Sequence, residues 1–243
     1  MKVLITGASS GIGRQLALDY AADGNDVVVC GRNNDALSEV QKQYPEKITC
    51  SAFDITNKES AKSALAQING IDVAILCAGV CEYLDVKAFD ADMFERVFKV
   101  NVFGTMNCVE ALLPQFNDSA RLVIVDSLAR LLPFTRAQAY GGSKAAMHYI
   151  ARGLEVDLKS QGIKVQTVSP GFVKTPMTDA NDFEMPMRVD VEFASKAIIK
   201  GINKNKRDIA FPWLFSSLLK LMSILPEGLQ VKLSEQMARK QSS

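Results

Sequence analysis

The sequence predicts an α/β fold, a single doubly wound domain on a sheet of about seven parallel strands with helices on both faces. Three observations lead there. Short β-branched runs alternate with longer stretches of helical period from the first residue to about residue 210, the pattern of repeated βαβ units. The run Leu122-Val123-Ile124-Val125 is apolar without alternation, as a parallel strand covered on both faces requires. A glycine-rich turn, Gly7 to Gly13, joins the first strand to the first helix.

In chain order, strands are expected near Lys2–Thr6, Asp26–Cys30, Lys47–Ala52, Val73–Cys77, Arg121–Asp126, Lys164–Ser169 and Asp208–Phe211. Helices are expected between them, among them Ile12–Ala22 and Gln138–Ser160, where Ala146, Ile150, Leu154 and Leu158 recur every four residues. No Pro/Gly/Ser-rich linker or charge block interrupts the alternation. Residues 1–243 therefore read as one domain with right-handed crossovers, and 211–243 as its apolar, helical C-terminal tail.

Of the 243 residues, 48% are apolar and 23% charged, which supplies a large core and excludes disordered or collagen-like classes. Lys and Arg total 28 against 27 Asp and Glu. Without a basic excess, no nucleic-acid partner is expected. The five cysteines, Cys30, Cys50, Cys77, Cys81 and Cys108, contain no C-x-x-C pair; a reducing, cytoplasmic location fits them best. With His148 the single histidine, Cys77 and Cys81 lack the partners of a structural metal site, so no metal is expected. Met1 to Thr6 reaches the glycine turn too soon for the apolar core of an export leader.

Thr6-Gly7-Ala8-Ser9-Ser10-Gly11-Ile12-Gly13 ends a strand and opens a helix. In that context glycines let backbone approach a pyrophosphate, and the helix N-terminus stabilises its charge. About 20 residues on, a ribose-binding unit for NAD places an acid, but the second strand here ends Cys30-Gly31-Arg32. Gly31 removes a carboxylate that would repel a 2′-phosphate, and Arg32 offers a planar, multi-donor cation for one. NADP(H) is therefore favoured over NAD(H), the alternative being that Arg32 is a solvated turn residue.

Tyr140-Gly141-Gly142-Ser143-Lys144 sets a phenol and an ammonium one helical turn apart on one face. A nearby cation favours the phenolate, so Tyr140 is expected to serve as general acid or base closer to neutral pH than a free phenol. Gly141 and Gly142 leave space for either a ligand or a closely packed helix. Ser127 lies at the end of the fifth strand and Asn101 opens Asn101-Val102-Phe103-Gly104; taken singly, these read equally well as a turn cap and a helix start.

The glycine turn, with three residues between its first two glycines, and Tyr-x-x-x-Lys together resemble the short-chain dehydrogenase/reductase pattern, T-G-x-x-x-G-x-G followed by Y-x-x-x-K, over residues 1 to about 210. The resemblance implies a Rossmann-like fold and assigns roles by position. Ser127 would hold a substrate carbonyl, Tyr140 move the proton, Lys144 bind the nicotinamide ribose, and Asn101 support a water-linked proton path. Asp54, before Ile55, would bond the adenine amino group; its other reading is a helix cap for Thr56 onward. The loop Pro170-Gly171-Phe172-Val173-Lys174-Thr175 resembles the family's P-G-x-[VI]-x-T and implies a bend over the nicotinamide, with Val173 at the carboxamide and Thr175 near the phosphates; an exit turn would also explain its Pro and Gly. One departure is local. The family commonly has N-N-A-G where this chain has Leu76-Cys77-Ala78-Gly79, which keeps backbone contact to the cofactor from Cys77, Ala78 and Gly79 but loses two asparagine side chains.

By the same resemblance, specificity rests with loops that here are apolar. Leu131, Leu132, Pro133 and Phe134 lie between Ser127 and Tyr140, and Phe183, Met185, Pro186 and Met187 follow Thr175, which suggests a sulfur-rich wall around a bulky substrate. Arg130 and Arg136 are expected at the solvated surface rather than on an anionic substrate, and His148 as a packing or surface residue with no acid partner. In the tail, Leu214, Leu218, Leu221, Met222 and Leu225 form a helical stripe. It is expected to pack on the fold or another subunit, or to serve as a lid or peripheral membrane contact. Phe211 to Leu225 is too short to span a bilayer.

The expected activity is NADP(H)-dependent transfer of a hydride between nicotinamide and a small-molecule carbonyl or secondary alcohol, by a homodimer or homotetramer assembled through the helices of Asn101 and Tyr140. The competing class is a non-catalytic NADP(H)-binding redox sensor or interaction protein. A sugar-nucleotide epimerase is disfavoured because about 70 residues after Pro170 leave little room for its substrate domain.

Overall fold

A computed structural model describes residues 1–179, 181 and 183–241; the last two residues assigned to the tail, 242 and 243, lie outside the described residues. The strands are β1 (Lys2–Thr6), β2 (Asp26–Gly31), β3 (Ile48–Ala52), β4 (Ile71–Leu76), β5 (Phe116–Val125), β6 (Lys164–Pro170) and β7 (Asp208–Phe211). The helices are α1 (Gly11–Ala22), α2 (Asn34–Gln41), α3 (Lys58–Leu65), α4 (Asp92–Phe98), α5 (Thr105–Leu112), α6 (Gln138–Asp157), α7 (Pro176–Asp179), α8 (Val191–Asn203), α9 (Trp213–Ser223) and α10 (Glu227–Gln241).

All seven strands are parallel, in the order β3-β2-β1-β4-β5-β6-β7. This is the doubly wound α/β sheet expected from the alternation. Its apolar runs are explained by burial on both sides. Val123 and Val125 join Val3, Ile5, Val27 and Ile75 under Leu16 and Tyr20 of α1 and Ile198 and Ile202 of α8. Leu122 and Ile124 join Leu4, Ala74 and Leu76 under Leu65 of α3, Leu112 of α5 and Met147 and Ala151 of α6. Each fully buried aliphatic side chain contributes about 1.5–3 kcal/mol relative to exposure. Polar ends finish the elements: Asn33, Asn57 and Asp190 cap α2, α3 and α8 by accepting from Ala36 N, Ser60 N and Phe193 N, and Gly162, at φ 73°, ends the turn that follows α6.

Strand order reverses between β1 and β4, so consecutive loops diverge there and leave a crevice at the carboxyl edge. Register fixes what meets in it. Thr6 pairs with Leu76, Leu76 with Ile124, and Val125 with Val168, so the loops after β1, β4, β5 and β6 all emerge at one edge.

Two expectations change. β5 begins at Phe116 rather than Arg121, because Phe116 pairs with Ile71 ahead of an irregularity that leaves Asn117, Asp118 and Ser119 exposed. In the tail, α9 buries the neighbouring stripe. Ser216 and Leu219 are buried and Phe215 and Met222 pack beside them, while Leu214, Leu218 and Leu221 are exposed. The helix is apolar on most of its circumference, so periodicity alone could not choose the face.

An alanine methyl at Gly13 would lie 2.4 Å from the Gly7 carbonyl oxygen. Gly13→Ala is expected to cost roughly 1–3 kcal/mol of stability in urea unfolding and to weaken nucleotide binding, measured by calorimetry, together with it.

Candidate active site

The crevice holds a cleft of about 320 Å³. On one side it is lined by Gly7, Ser9, Ser10, Gly11, Ile12 and Gly13, and at the far end by Gly31, Arg32, Asp54 and Ile55. Cys77, Ala78 and Gly79 line it from β4, Ser127, Tyr140 and Lys144 from β5 and α6, and Pro170, Gly171, Val173 and Thr175 from the loop after β6. Of the residues expected to bind the cofactor or act in catalysis, Asn101 alone does not line it.

Gly7 and Gly11 have φ of 68° and 53°, a region side chains rarely adopt. Ser10 starts α1 in extended conformation without a side-chain cap, and the first turn carries no acid. The positive end of α1 therefore faces the cleft uncompensated, which suits a pyrophosphate. Arg32 is exposed and forms no ion pair among the described residues. Asp54 accepts from Thr56 N and Oγ1 at 2.8 and 2.9 Å. Partial burial acts to raise its pKa, but the Thr56 hydrogen bonds and the charges of Arg32 and Lys99 outweigh it and leave the carboxyl below its ordinary value. Asp54 closes this turn and is not a helix cap, since α3 starts later behind Asn57. Where the family commonly has asparagine, the Cys77 sulfur accepts from Gly13 N, and burial pushes this thiol up to about 11.

Ser127 follows β5, with Oγ accepting from Ala129 N at 3.1 Å and joined to the Tyr140 hydroxyl. Tyr140 stands in the first turn of α6 and Lys144 one turn on, its Nζ 5.7 Å from the Tyr140 ring centre and donating to Val125 O at 2.9 Å. Burial raises the Tyr140 pKa above the usual phenol range, aided by Cys81, Asp126 and Cys77 and opposed by the Ser127 hydrogen bond. The expectation of a phenol titrating nearer neutrality is not met in this state, because desolvation dominates. Burial likewise depresses Lys144, with Asp126 acting against it.

Asn101 lies in a π-helical turn, Lys99–Gly104, between α4 and α5. Its Oδ1 accepts from Val80 N at 2.8 Å, and its Nδ2 donates to Val80 O and Ser143 Oγ, each at 2.9 Å. It thus stands behind Gly79, where an added methyl would meet Asn101 Oδ1 at 3.1 Å. Gly141 and Gly142 serve packing: methyls there would meet Ala129 O at 3.1 Å and the Phe98 ring at 3.7 Å.

A second pocket, about 290 Å³, adjoins the cleft and shares Ser127, Tyr140, Pro170 and Gly171 with it. Tyr83 packs edge-on to Phe183 at 5.4 Å, and Phe172 lies 6.2 Å from Phe183 and 6.0 Å from Phe215. Phe134, Pro186, Met177 and, from α9 and α10, Leu219 and Met237 complete the apolar wall. Phe134, Phe183 and Pro186 were expected there; Tyr83, Phe172, Phe215 and Met237 were not. The sulfur-bearing residues are Cys81, Met177 and Met237, whereas Met187 is exposed.

Two readings are corrected. Arg130 is not solvated, since its side chain is 13% exposed and its Nε lies 3.2 Å from Asp126 Oδ2. His148 does have an acid partner, Asp126, with Nδ1 2.7 Å from Oδ2. Asp126 adjoins Ser127 and had no signal of its own beyond being an acid at the end of an apolar strand.

Residues 1–185 match the family model described as short chain dehydrogenase. An uncharacterized oxidoreductase of Myxococcus xanthus is 31% identical over 236 residues, 93% of each chain. One from Mycobacterium tuberculosis is 30% identical over 242 residues, 94% of this chain and 95% of its own. Among solved structures, a short chain dehydrogenase from Burkholderia cenocepacia in complex with NADP superposes with a TM-score of 0.84 at 22% identity, covering 96% of both chains. A short chain dehydrogenase/reductase from Burkholderia phymatum in complex with NAD superposes with a TM-score of 0.81 at 21% identity, covering 91% of this chain and 92% of its own.

Replacing Asn101 with Ala strands the Val80 backbone groups and Ser143. A loss of about 1–3 kcal/mol in urea unfolding is expected, with protection of the Val80 amide against hydrogen exchange lost first.

Proposed function

The chain belongs to the short-chain dehydrogenase family, and from that premise we propose that it is an NADP(H)-dependent oxidoreductase acting on a bulky, apolar carbonyl or secondary alcohol. The observation that carries this reading is that Ser127 and Tyr140 stand together at the junction of the two pockets and line both. One side offers a turn suited to a dinucleotide, the other an aromatic wall.

Bound, the nicotinamide would supply or accept the hydride. The chain's residues do the rest. The α1 terminus and the backbone from Gly7 to Gly13 receive the pyrophosphate, Arg32 a 2′-phosphate, Asp54 and Ile55 the adenine. Cys77 to Gly79 and Lys144 face the ribose, and Pro170, Gly171, Val173 and Thr175 cover the nicotinamide end. Ser127 donates to the substrate oxygen, and Tyr140 passes its phenolic proton to that oxygen. A phenol whose pKa desolvation raises holds this proton until negative charge develops on the substrate. Oxidation runs the same proton in reverse. Asn101 braces the loop at Val80 and Gly79 and supports the proton path behind Lys144.

The enzyme acts in the cytoplasm as a homodimer or homotetramer. Phe103, Tyr149 and Val156 are exposed on the elements carrying Asn101 and Tyr140, which supports pairing through that face. The tail walls the substrate pocket from inside with Phe215 and Leu219 and leaves Trp213, Leu214, Leu218, Leu221 and Ile224 exposed, surface available to a peripheral membrane. No helix among the described residues is long and apolar enough to cross one.

NADPH consumption against aliphatic, aromatic, steroid and quinone carbonyls tests the reading. Tyr140→Phe is expected to lower turnover by about 10²–10⁴-fold while NADPH affinity stays unchanged by calorimetry; retained turnover would falsify the role. Arg32→Ala removes a charge-assisted contact and is expected to weaken NADPH roughly 10–100-fold while sparing NADH. Equal loss for both cofactors would remove the 2′-phosphate reading.

A further inference from the structure

The Asp126 side chain has no exposure. Its carboxylate is held from three elements. Ser169, the residue before Pro170, donates to Oδ1 at 2.5 Å. From α6, His148 Nδ1 lies 2.7 Å from Oδ2, and from the short turn after Ser127, Arg130 Nε lies 3.2 Å from the same oxygen. A buried carboxylate costs several kcal/mol unless it is paired in this way, and none of these partners touches the reacting groups. Yet Asp126 is joined by one peptide bond to Ser127, and its backbone N donates to Val168 O at 2.8 Å across the strand ends.

We propose that Asp126 is a positioning residue for the proton transfer, a carboxylate that keeps Ser127, α6 and the Pro170 loop in register and sets the charge that Lys144 and Tyr140 meet in the cleft the three line together. The inference rests on the reading of Ser127, Tyr140 and Lys144 given above. Lys144 is buried and donates to a neutral carbonyl, Val125 O, so its hydrogen bond supplies no countercharge. Burial drives it toward neutrality, and Asp126 acts against that, followed by Cys77 and Cys81. The same carboxylate disfavours the Tyr140 phenolate. The groups facing Asp126 are Arg130 from the turn after β5, His148, Lys144 and Tyr140 from α6, and Ser169 from β6. Those facing Lys144 besides Asp126 are Cys77 and Cys81 from the β4 loop.

Asp126→Asn keeps an acceptor for Ser169 and removes the charge. Both Lys144 and Tyr140 then lose their protons at lower pH. Carbonyl reduction needs both protonated, so the two effects act in one direction. The expected result is that the alkaline fall of NADPH affinity by calorimetry, and of kcat/KM with the carbonyl turned over fastest in the panel, moves roughly one pH unit lower, with neutral-pH NADPH affinity within about threefold of the parent. A uniform loss with neither profile displaced, or no change at all, would overturn the proposal and leave Asp126 a purely structural residue. Asp126→Glu retains the charge and covers the case in which the Asn protein does not fold. Its alkaline limbs should stay at the parent position even with kcat reduced, and a displaced limb overturns the idea. Tyr140→Phe run alongside separates the two readings: if it retains turnover, the underlying site assignment fails whatever Asp126 does.

Discussion

Thr6 Oγ1 accepts from both Cys77 N and Ala78 N, at 3.1 and 3.2 Å, and a methyl on Gly7 would meet Ala78 Cα at 2.8 Å. The turn after β1 and the loop after β4 are therefore one packed unit, formed where the strand order reverses. That contact constrains everything around it. It requires glycine at residue 7, at positive φ, and presses α1 onto the turn through Gly13, so the helix points its uncapped amides into the cleft. From the other direction it fixes Gly79 and Val80, which Asn101 then grips by both its carboxamide atoms. The glycine turn, α1 and a braced loop thus share one close approach of backbone.

The electrostatics of the site follow from desolvation. Lys144 and Asp126 are buried, and Tyr140 is partly exposed where it lines both pockets; desolvation raises the phenol and lowers the ammonium before any neighbour acts. Reading Tyr-x-x-x-Lys as a cation tuning a phenol captures the pair but omits the medium, and the medium dominates here. The phenol is kept neutral and the lysine is pressed toward neutrality. The nearest element of compensation comes from an acid that sits outside the motif.

What was legible in the chain was whatever has a backbone cause. Seven parallel strands, the crevice and its glycine turn follow from β-branched runs and from glycines where chain must bend or approach, and the cleft residues from Gly7 to Thr175 gather as expected. Less legible were features made by contact across sequence distance. Asn117 to Ser119 look like a loop, and they lie where the register of β5 on β4 shifts, between the pairs Phe116–Ile71 and Arg121–Val73. His148 looks isolated because its partner, Asp126, lies 22 residues away on another element. Arg130 looks like a surface cation because nothing local reveals that the strand end beside it buries a carboxylate. Phe172 and Phe215 become neighbours only when the loop after β6 and α9 close on one pocket.

The tail shows how far such ambiguity reaches. A helix apolar on most of its circumference satisfies several partners, and of the stripe chosen by period Leu214, Leu218 and Leu221 are exposed, while Met222 packs inward and Leu225 is half-buried. The fold selects Phe215 and Leu219 instead because Gly171 leaves room for the Phe215 ring, whose edge carbon would lie 3.0 Å from a methyl there. Gly171 thus does two things: it lines the cleft and admits the ring that closes the neighbouring pocket. The two pockets are thereby coupled through a single missing side chain. The exposed leucines follow from the same geometry, since a helix that turns one apolar face inward on so narrow a pocket must leave the other outside.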